Sequence, residues 1–392
     1  MNESDAAEDY MKKAFIISLG CEDRLKIIRD VLKDKYSCKI FISDFDHAKK
    51  KYIEAKDSEC NYVHVPQYQK NISIGRIRAY ISFASQVKRL LEMEKPELVY
   101  IMLPPNTIAY ECARYKERNP SSKLIADVYD LWPESFPLQS ISKYIPHILS
   151  KWKSYRTYVL KRADYIFTEC KYYNKVVGPE LIPEEKTSVL YIHKEQGTAV
   201  QEIVEKSIRD YKKNPGSITL GYLGSINNII DIKGITDLIS RLRSKGIAVT
   251  VKIVGGGEGA QKFIDSIEAV GAQVKNYGFV FDPVRKAEIF SNCDFALNMM
   301  VENIVVGLTT KSVDYFSLAL PIINNIKADT SDLINTRGVG INYNQTIEQI
   351  LCLTDEDIAR MKNRAYQCYQ ELMTPQGLSE TVKTAFEKMG II

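Results

Sequence analysis

Short apolar runs alternate with amphipathic segments along the first half of the chain. The runs have the length and composition of β-strands, and the segments between them repeat apolar residues at helical spacing. Such alternation predicts a parallel sheet with helices on its faces. Strands are predicted at 14–18, 39–43, 98–102 and 123–128, and helices at 24–35, 74–93 and 107–118.

The same alternation restarts in the second half. Strands are predicted at 217–223, 249–254 and 322–323 and near Val274 and Phe295, and helices at 235–244, 260–270 and 311–318. The polar, charged stretch 194–215 separates the halves. We therefore predict an α/β protein with two Rossmann-like domains. The expected divisions are a disordered leader at 1–11, an N-terminal domain at 12–200, a linker at 201–216, a C-terminal domain at 217–365, and helices at 366–392 that pack back on the N-terminal domain.

Composition restricts the class of protein. Apolar residues make up 45% and charged residues 26% of the 392 positions, as in ordinary globular proteins. A net charge of +4 does not predict a nucleic-acid partner. No apolar run reaches the roughly 18 residues of a membrane span, and the polar, acidic residues 1–9 do not resemble a secretory signal. We therefore expect a cytoplasmic protein.

Cysteine and histidine spacing predicts free thiols and no metal site. The eight cysteines include no C-x-x-C pair, which favours free thiols over a disulfide framework. None of the four histidines has a partner at metal-ligand spacing.

Three loops of the second half follow predicted strands, where open parallel sheets bind ligands. In the first, Gly224 and Ser225 directly follow a strand, and the loop leads to Lys233 at the start of a helix. A cation in the first helical turn opposes the helix dipole, so this placement makes sense if an anion binds between them. The alternative is a solvated surface lysine.

The second loop, 255–260, fits the G-x-G-x-x-A fingerprint of dinucleotide folds. Gly255 and Gly256 would let the backbone approach a ligand closely. The acidic residue expected after the next strand is missing, and the fingerprint follows the domain's second strand rather than its first, so a nicotinamide cofactor is not expected. A tight strand-to-helix turn explains the glycines without a ligand.

The third loop, 307–315, leads into a helix for which a threonine is a suitable N-cap. Lys311 and Asp314 are three residues apart and therefore share a face, with Tyr315 beside them. The lysine suits a phosphate, and Asp314 suits the hydroxyls of a ribose or sugar. The alternative is a surface ion pair between Lys311 and Asp314.

Several of these segments together resemble one enzyme family. Residues 307–323, GLTTKSVDYFSLALPII, resemble the donor-site signature of family 4 retaining glycosyltransferases with the GT-B fold, and are closest to the branch that makes bacterial capsule and O-antigen polysaccharides. Residues 130–135, DLWPES, match a second motif of that branch. YLG at 222–224, KG at 233–234, IVGGG at 253–257 and YGFV at 277–280 follow in the expected order. The resemblance covers nearly the whole chain from Lys13 to Tyr343.

The resemblance implies two parallel sheets facing a central cleft and transfer of a sugar, with retention and without a metal, from a nucleotide sugar to a lipid-linked saccharide acceptor in cell-surface polysaccharide biosynthesis. A UDP-sugar is favoured on frequency. The donor would bind in the C-terminal domain and the acceptor in the N-terminal one. The expected donor-binding residues are Gly224, Ser225, Lys233, Gly255, Gly256, Phe279, Val280, Thr310, Lys311 and Asp314; the acceptor-side residues are Gly20, Asp130 and Glu134; and the catalytic residues are Lys233, Asp314 and Asp130.

Three features depart from the family pattern. Val306 and Asp314 stand where the family has a pair of glutamates, Leu320 replaces a glycine, and Tyr129 stands where a histidine often precedes the aspartate. These departures keep two alternatives open. One is a catalytically silent GT-B-like subunit that activates a partner transferase, and the other is a nucleotide-sugar epimerase on the same architecture.

Asp44 and Asp46 form a D-x-D, which holds a metal and a nucleotide in a different glycosyltransferase fold. Here it follows only the second strand of a domain of the other kind. We therefore interpret it as a turn and expect activity to survive EDTA.

Residues 143–162 predict a basic amphipathic helix, because they carry six Lys or Arg, no Asp or Glu, and apolar residues at helical spacing. Such a helix can lie on an anionic membrane surface, which suits a lipid-linked acceptor on the inner face of the cell membrane. The expected contacts are Lys151, Trp152, Lys153 and Arg156. Alternatively, the apolar stripe packs into the N-terminal domain.

Overall fold

The chain divides into two compact units in a computed structural model that describes residues 11–71, 73–135, 146–302, 304–344 and 347–392. One unit ends at Leu190 and takes in Leu378–Ile392, and the other is Tyr191–Gly377. The predicted leader lies outside the described residues except for Met11, as do residues 143–145 of the predicted basic helix.

The first unit is built on parallel strands. They are β1 (Lys12–Ile17), β2 (Tyr36–Ser43), β5 (Cys60–Val63), β6 (Leu98–Leu103), β7 (Lys123–Val128), β8 (Tyr165–Thr168) and β9 (Thr187–Val189), beside a separate antiparallel pair, β3 (Phe45–Asp46) and β4 (Lys51–Tyr52). The seven-stranded sheet has the order β5-β2-β1-β6-β7-β8-β9. All six residues of β6 are buried, as expected for a central strand with helices on both faces.

The helices of the first unit connect these strands. They are α1 (Asp23–Leu32), α2 (Ile74–Glu94), α3 (Asn106–Arg118), α4 (Pro146–Leu160) and α5 (Lys171–Val177). The longest, α2, begins where the Ser73 hydroxyl accepts a hydrogen bond from the Arg76 N–H, an N-cap that satisfies one of the unpaired donors of the first turn. It ends at Lys95, directly before Pro96, because a proline cannot continue the helical hydrogen bonds.

A buried ion pair ties α1 to the sheet. Arg24 is 1% and Asp127 is 0% exposed, and the guanidinium donates to both carboxylate oxygens at 3.1 and 3.0 Å. The Tyr100 hydroxyl donates to the same carboxylate at 2.5 Å, and Arg24 also donates to the Leu190 carbonyl at 2.6 Å. Removing one partner of such a pair typically costs about 3–5 kcal/mol, so this network fixes how α1 packs on β7.

The second unit is built on a six-stranded parallel sheet. Its strands are β10 (Ser217–Ser225), β11 (Ala248–Gly256), β12 (Gln273–Asn276), β13 (Phe295–Asn298), β14 (Ile322–Asn324) and β15 (Gly340–Asn342). Their order, β12-β11-β10-β13-β14-β15, is that of dinucleotide-binding folds. The order reverses between β10 and β13, and ligands of such sheets bind outside the carboxyl ends of the strands at this switch point.

Helices surround this second sheet. They are α6 (Thr198–Arg209), α7 (Ile232–Ser244), α8 (Ala260–Ala269), α9 (Pro283–Phe290), α10 (Thr310–Ser317), α11 (Asp329–Arg337), α12 (Glu348–Leu351) and α13 (Asp355–Leu372). We expected the stretch 201–216 to be a linker, but most of α6 lies in it. The segment forms a helix because Val200 and Val204, which are four residues apart, bury one helical face.

The last helix, α14 (Pro375–Lys388), carries four buried apolar residues. Leu378, Val382, Ala385 and Phe386 all belong to the core cluster of the first unit. The Phe386 ring lies 6.1 Å from that of Phe167 in β8. Within the described part of the chain, no helix has the combination of length and apolar character that crossing a membrane requires.

Candidate functional site

Glycines bring the carboxyl ends of β10 and β11 together. Gly224 and Gly255 have φ angles of 112° and 136°, which glycine adopts readily. A Cβ on Gly255 would lie 2.1 Å from the Gly224 carbonyl oxygen, and one on Gly256 would lie 2.9 Å from the Phe279 ring. The Gly255 N–H donates to the Gly278 carbonyl at 2.7 Å. Close packing therefore explains Gly255 and Gly256, and the Gly255 N–H is already engaged rather than open to a phosphate.

The ammonium of Lys311 lies at this same edge of the sheet. Its Nζ donates to the Tyr222 hydroxyl at 2.5 Å and to the Ser225 carbonyl at 3.2 Å, and it lies 4.3 Å from the centroid of the Tyr222 ring. Its Cε would be 3.1 Å from a Cβ on Gly224. Burial lowers the pKa of Lys311 to about 8. Within the described residues, no carboxylate pairs with this ammonium.

An N-cap anchors α10 to the sheet. The predicted threonine cap is Thr309, whose hydroxyl accepts from the Ser312 N–H at 3.0 Å and donates to the Asn298 side chain at 3.0 Å. Asn298, Asn324 and Asn342 end three adjacent strands in register. Their amides bond in a row, from Asn298 to Asn324 and from Asn324 to Asn342, at 3.0 Å each. This asparagine ladder (Asn298, Asn324 and Asn342) fixes where α10 begins.

Asp314 pairs with Lys194 rather than with Lys311. The Lys194 ammonium forms an ion pair with the Asp314 carboxylate, so the i,i+3 pair considered from the sequence does not form. Both residues line a pocket of about 90 Å³ in the second unit. Its walls combine charged and apolar groups: Lys194, Gln196, Leu223, Lys286, Asp314 and Leu318. Burial lowers the pKa of Lys286, and the nearby Lys194 charge lowers it further.

Lys233 lies in the first turn of α7 with an exposed side chain. Its ammonium has no hydrogen-bond or ion-pair partner within the described part of the chain. Asp231 caps this helix by accepting from the Gly234 N–H at 2.8 Å, and the Asn325 side chain donates to the same carboxylate at 3.0 Å. The helix start therefore already holds a protein carboxylate, which weakens the argument that Lys233 requires a bound anion.

The remaining predicted donor residues lie at the end of β10, at the start of α10 and in the loop after β12. Ser225 and Thr310 are exposed, and Val280 is half-buried. Phe279 is 69% and Phe281 is 85% exposed, and their rings stack with centroids 6.3 Å apart and an angle of 8° between planes. The pair presents a flat aromatic surface of the kind on which a planar base stacks.

In the first unit, the DLWPES segment is held by its own hydrogen bonds. Asp130 accepts from the Trp132 indole at 2.8 Å and from the Ser135 hydroxyl at 2.5 Å. The Glu134 carboxylate accepts hydrogen bonds from both terminal nitrogens of Arg156, at 2.6 and 2.9 Å. Gly20 has open space where a Cβ would be. Glu134 is thus engaged within the protein, whereas a substrate group can approach Gly20.

One of the basic residues of α4 is buried in the first unit rather than exposed. Arg156 is only 2% exposed and paired with Glu134, so we withdraw it from the predicted membrane contacts: a buried guanidinium cannot reach a lipid headgroup. Trp152 is half-buried and stacks on Trp132, with centroids 5.9 Å apart. Lys151 and Lys153 remain exposed.

The D-x-D aspartates are both engaged in local structure. Asp46 accepts from the Ala48 and Lys49 N–H groups at 2.9 Å each, and Asp44 accepts from the Val65 N–H at 3.1 Å and contacts the His64 ring at 2.7 Å. The first pattern is that of a turn, so the interpretation of Asp46 as a turn residue is confirmed.

Sequence reasoning missed two residues of the second unit. Lys194 is 120 positions from its partner Asp314, and no local pattern signals a pair at that separation. Asp231 did carry a signal, because an aspartate directly before a helix is a common N-cap. The sequence prediction began this helix at Ile235, three residues after its observed start.

No protein-family model and no curated protein sequence matches this chain. Solved structures match it over nearly its full length. HepE of Anabaena in complex with UDP superposes with a TM-score of 0.60 at 14% identity, covering 96% of this chain and 100% of that one. The lipopolysaccharide outer core galactosyltransferase WaaB gives a TM-score of 0.56 at 16% identity, covering 97% and 98%. The UDP-GlcNAc 2-epimerase of Neisseria meningitidis gives 0.53 at 13% identity, covering 97% and 99%.

The chain has the GT-B fold. The predicted α/β fold class, with two Rossmann-like halves built on parallel sheets, is confirmed. At these identities the likeness carries the fold and not the activity, because one fold supports many functions.

Proposed function

We propose that this chain is a glycosyltransferase that moves a sugar from a nucleotide sugar to an acceptor, with the donor diphosphate bound at the carboxyl ends of β10 and β13. The ammonium of Lys311 carries the proposal. Its side chain is half-buried, and among the described residues its ammonium bonds only to the neutral groups of Tyr222 and Ser225. Taking a cation partly out of water without a counter-ion is costly, and a diphosphate would supply that counter-ion where this kind of sheet binds ligands.

The same charges would act in the transfer step. Negative charge develops on the diphosphate as the bond to the sugar breaks, and fixed positive groups stabilise it. We assign this role to Lys311 and Lys233, with the N-terminal N–H groups of α7 and α10 as further donors. Retention at the anomeric carbon is part of the proposal through the family resemblance.

We assign the pocket beside Asp314 to the ribose of the nucleoside. Its mixture of apolar walls and a few polar groups is typical of small-molecule sites. The Asp314 carboxylate would accept hydrogen bonds from ribose hydroxyls, sharing them with or releasing Lys194, and Phe279 and Val280 would contact the base. UDP is the favoured nucleotide, and the HepE structure, which contains UDP, supports that choice.

A thermal-shift screen tests the donor assignment. The purified chain is heated with UDP, GDP, ADP, dTDP or CMP and with nucleotide sugars. A ligand that binds only the folded state raises the melting temperature. At a hundred times its Kd, it raises the free energy of unfolding by about 2.7 kcal/mol. We expect UDP to do so, and we expect the shift to fall to a small fraction of its size in Lys311→Met. The absence of a shift with every nucleotide would contradict the proposal.

Donor binding is expected not to depend on a divalent metal. Asp46 is engaged in a turn and Asp44 holds the Val65 N–H, so the D-x-D offers no free carboxylate pair for a metal–nucleotide complex. The UDP affinity measured by calorimetry should be the same in EDTA as in manganese or magnesium. Loss of affinity in EDTA that manganese alone restores would reinstate the D-x-D as a metal site.

We further propose that the acceptor is a lipid-linked saccharide bound by the first unit near Gly20 and Asp130, in cell-surface polysaccharide biosynthesis. The chain would reach it at the inner face of the membrane through Lys151 and Lys153.

Co-sedimentation with anionic vesicles at low salt tests this membrane contact. Each lysine near an anionic surface contributes about 1 kcal/mol, so Lys151→Glu with Lys153→Glu should lower the bound fraction at least about tenfold. Lys33→Glu with Lys35→Glu, two exposed lysines elsewhere in the first unit, is the matched control and should change binding less. Equal binding by the two double variants, or no binding by the natural chain, would contradict the membrane contact.

The epimerase alternative is kept because one of the matching structures is a UDP-GlcNAc 2-epimerase. An epimerase converts its nucleotide sugar without an acceptor, whereas a transferase releases free nucleotide. Incubation with a UDP-sugar followed by separation of the products distinguishes them. Slow release of UDP supports the transferase, an altered UDP-sugar supports the epimerase, and binding without turnover supports a silent subunit.

A further inference from the structure

Two thiols and a carboxylate lie close together in the first unit. The two cysteines are 39 positions apart in the sequence, so no local motif indicates the cluster. Cys21 lies in the loop after β1, Cys60 begins β5, and Asp57 lies in the turn before it. The two Sγ atoms are 3.8 Å apart, and the ligand atoms of all three residues lie within 4.8 Å of one another. Cys21 is exposed and Cys60 is buried, so the cluster is open to solvent on one side only.

We propose that Cys21, Asp57 and Cys60 form a binding site for one thiophilic divalent cation, of which Zn²⁺ is the physiological example. Two thiolates on a tetrahedral zinc ion, each with a Zn–S bond of about 2.3 Å, are about 3.8 Å apart. The observed Sγ–Sγ distance already matches that spacing. A carboxylate oxygen is an ordinary third ligand, and water completes the tetrahedron on the exposed side.

The charges around the cluster suit a doubly charged ion. Lys26 lies 2.6 Å from Asp57 and 3.4 Å from Glu59, and Arg29 lies 2.7 Å from Glu59. Asp30 also lies 3.0 Å from Arg29, so two cations face three carboxylates and the surroundings carry one net negative charge while both thiols are protonated. Ionising both thiols adds two negative charges, which one divalent cation neutralises.

Contacts with neighbouring residues orient the Asp57 carboxylate. Asp57 accepts from the Glu59 N–H at 2.9 Å through one oxygen and contacts Lys26 through the other. Groups that orient a ligand in this way commonly change metal affinity by about 10–100-fold when removed. Hard ions such as Mg²⁺ prefer a shell of oxygens, so the site should select soft cations.

Metal binding must displace both thiol protons. The ion therefore competes with protons, and its affinity should increase as the pH rises.

Cadmium titration of the full chain, first reduced and extracted with EDTA, tests the site. We expect a thiolate-to-metal charge-transfer absorption that saturates at one Cd²⁺ per chain and that zinc displaces. Cys21→Ser should weaken binding at least about a hundredfold and Asp57→Asn about tenfold. Cys352→Ser removes another exposed thiol and should leave the titration unchanged. Circular dichroism confirms that each variant is folded.

Three outcomes would overturn the proposal. They are absence of the absorption band, a band that Cys21→Ser leaves intact, and formation of a Cys21–Cys60 disulfide in a chain that takes up no cadmium. The last would identify the pair as a redox couple instead. The site lies in the first unit and involves no donor residue, so its failure leaves the proposed transferase function untouched.

Discussion

Replacing Lys311 by methionine is expected to weaken UDP binding by about a hundredfold while raising the melting temperature at pH 7. The loss of affinity follows because truncating one member of a desolvated charge pair typically costs about 2–5 kcal/mol. The gain in stability follows because burial disfavours the charged lysine in the folded state, and methionine fills similar space without that cost. A gain of ~1 kcal/mol would appear as an increase of about 2–4 °C.

The pH dependence gives this prediction a second readout. The pKa of Lys311 is lowered to about 8 in the folded, unliganded chain. Below pH 8 the lysine is charged and attracts the diphosphate; above pH 8 it loses its proton, so UDP affinity should fall. Folding stability changes in the opposite direction. Between about pH 8 and the ordinary lysine pKa of 10.5, the unfolded chain binds more protons than the folded one, so this lysine's cost to stability is relieved as the pH rises through that window. In Lys311→Met, the fall in UDP affinity and the gain in folding stability with rising pH should both disappear.

Lys362 supplies the matched control. It is a fully buried lysine of the same unit, burial likewise lowers its pKa to about 8, and its ammonium donates to the Cys293 carbonyl at 2.9 Å. Lys362→Met therefore removes a comparable desolvated charge away from the strand ends. Calorimetry should show unchanged UDP affinity for it. Equal loss in both variants would mean that Lys311 acts through the fold rather than on the ligand.

Lys233→Ala is expected to lower sugar transfer about a hundredfold or more. Removing one fixed donor from a site that stabilises developing negative charge typically costs roughly 3–4 kcal/mol in the transition state, and each 1.36 kcal/mol is a factor of ten in rate. Because the side chain is exposed and unpaired among the described residues, the melting temperature should hardly change. Turnover is measured as release of nucleotide from the donor.

Lys262→Ala is the control for position rather than charge. Lys262 is also an exposed lysine in the first turn of a helix of the second unit, and its removal should leave turnover unchanged. Near-normal turnover of Lys233→Ala would remove this residue from the mechanism. The Asp231 carboxylate at the same helix start would then account for the tolerance of a lysine there.

Much of the fold could be predicted because strand and helix periodicities are local. The strand at 123–128 has the predicted limits, and the helix predicted at 74–93 begins at residue 74 and ends at residue 94. Local patterns cannot say which charged residues pair. Arg156 and Lys153 look alike in the sequence and both contact Glu134, at 2.6 and 3.5 Å, yet only Arg156 is buried.

The same limit applies to the donor site. That Lys311 and Asp314 share a helical face followed from their spacing, but the spacing also allowed them to neutralise each other. The structure instead gives each its own partner, Tyr222 for the lysine and Lys194 for the aspartate. Both partners come from segments about 90 or more residues away, and only the completed sheet brings them together.

The asparagine ladder positions α10 through residues other than those that we expect to contact the ligand. The start of α10 is held from below by Thr309 and the amides at the strand ends, whereas Thr310, Lys311 and Asp314 take no part in those bonds. Substitution at these three positions can therefore alter ligand preference while the helix stays where it is. A scaffold arranged in this way can diversify in donor specificity over evolution, or in the laboratory, without having to be rebuilt each time.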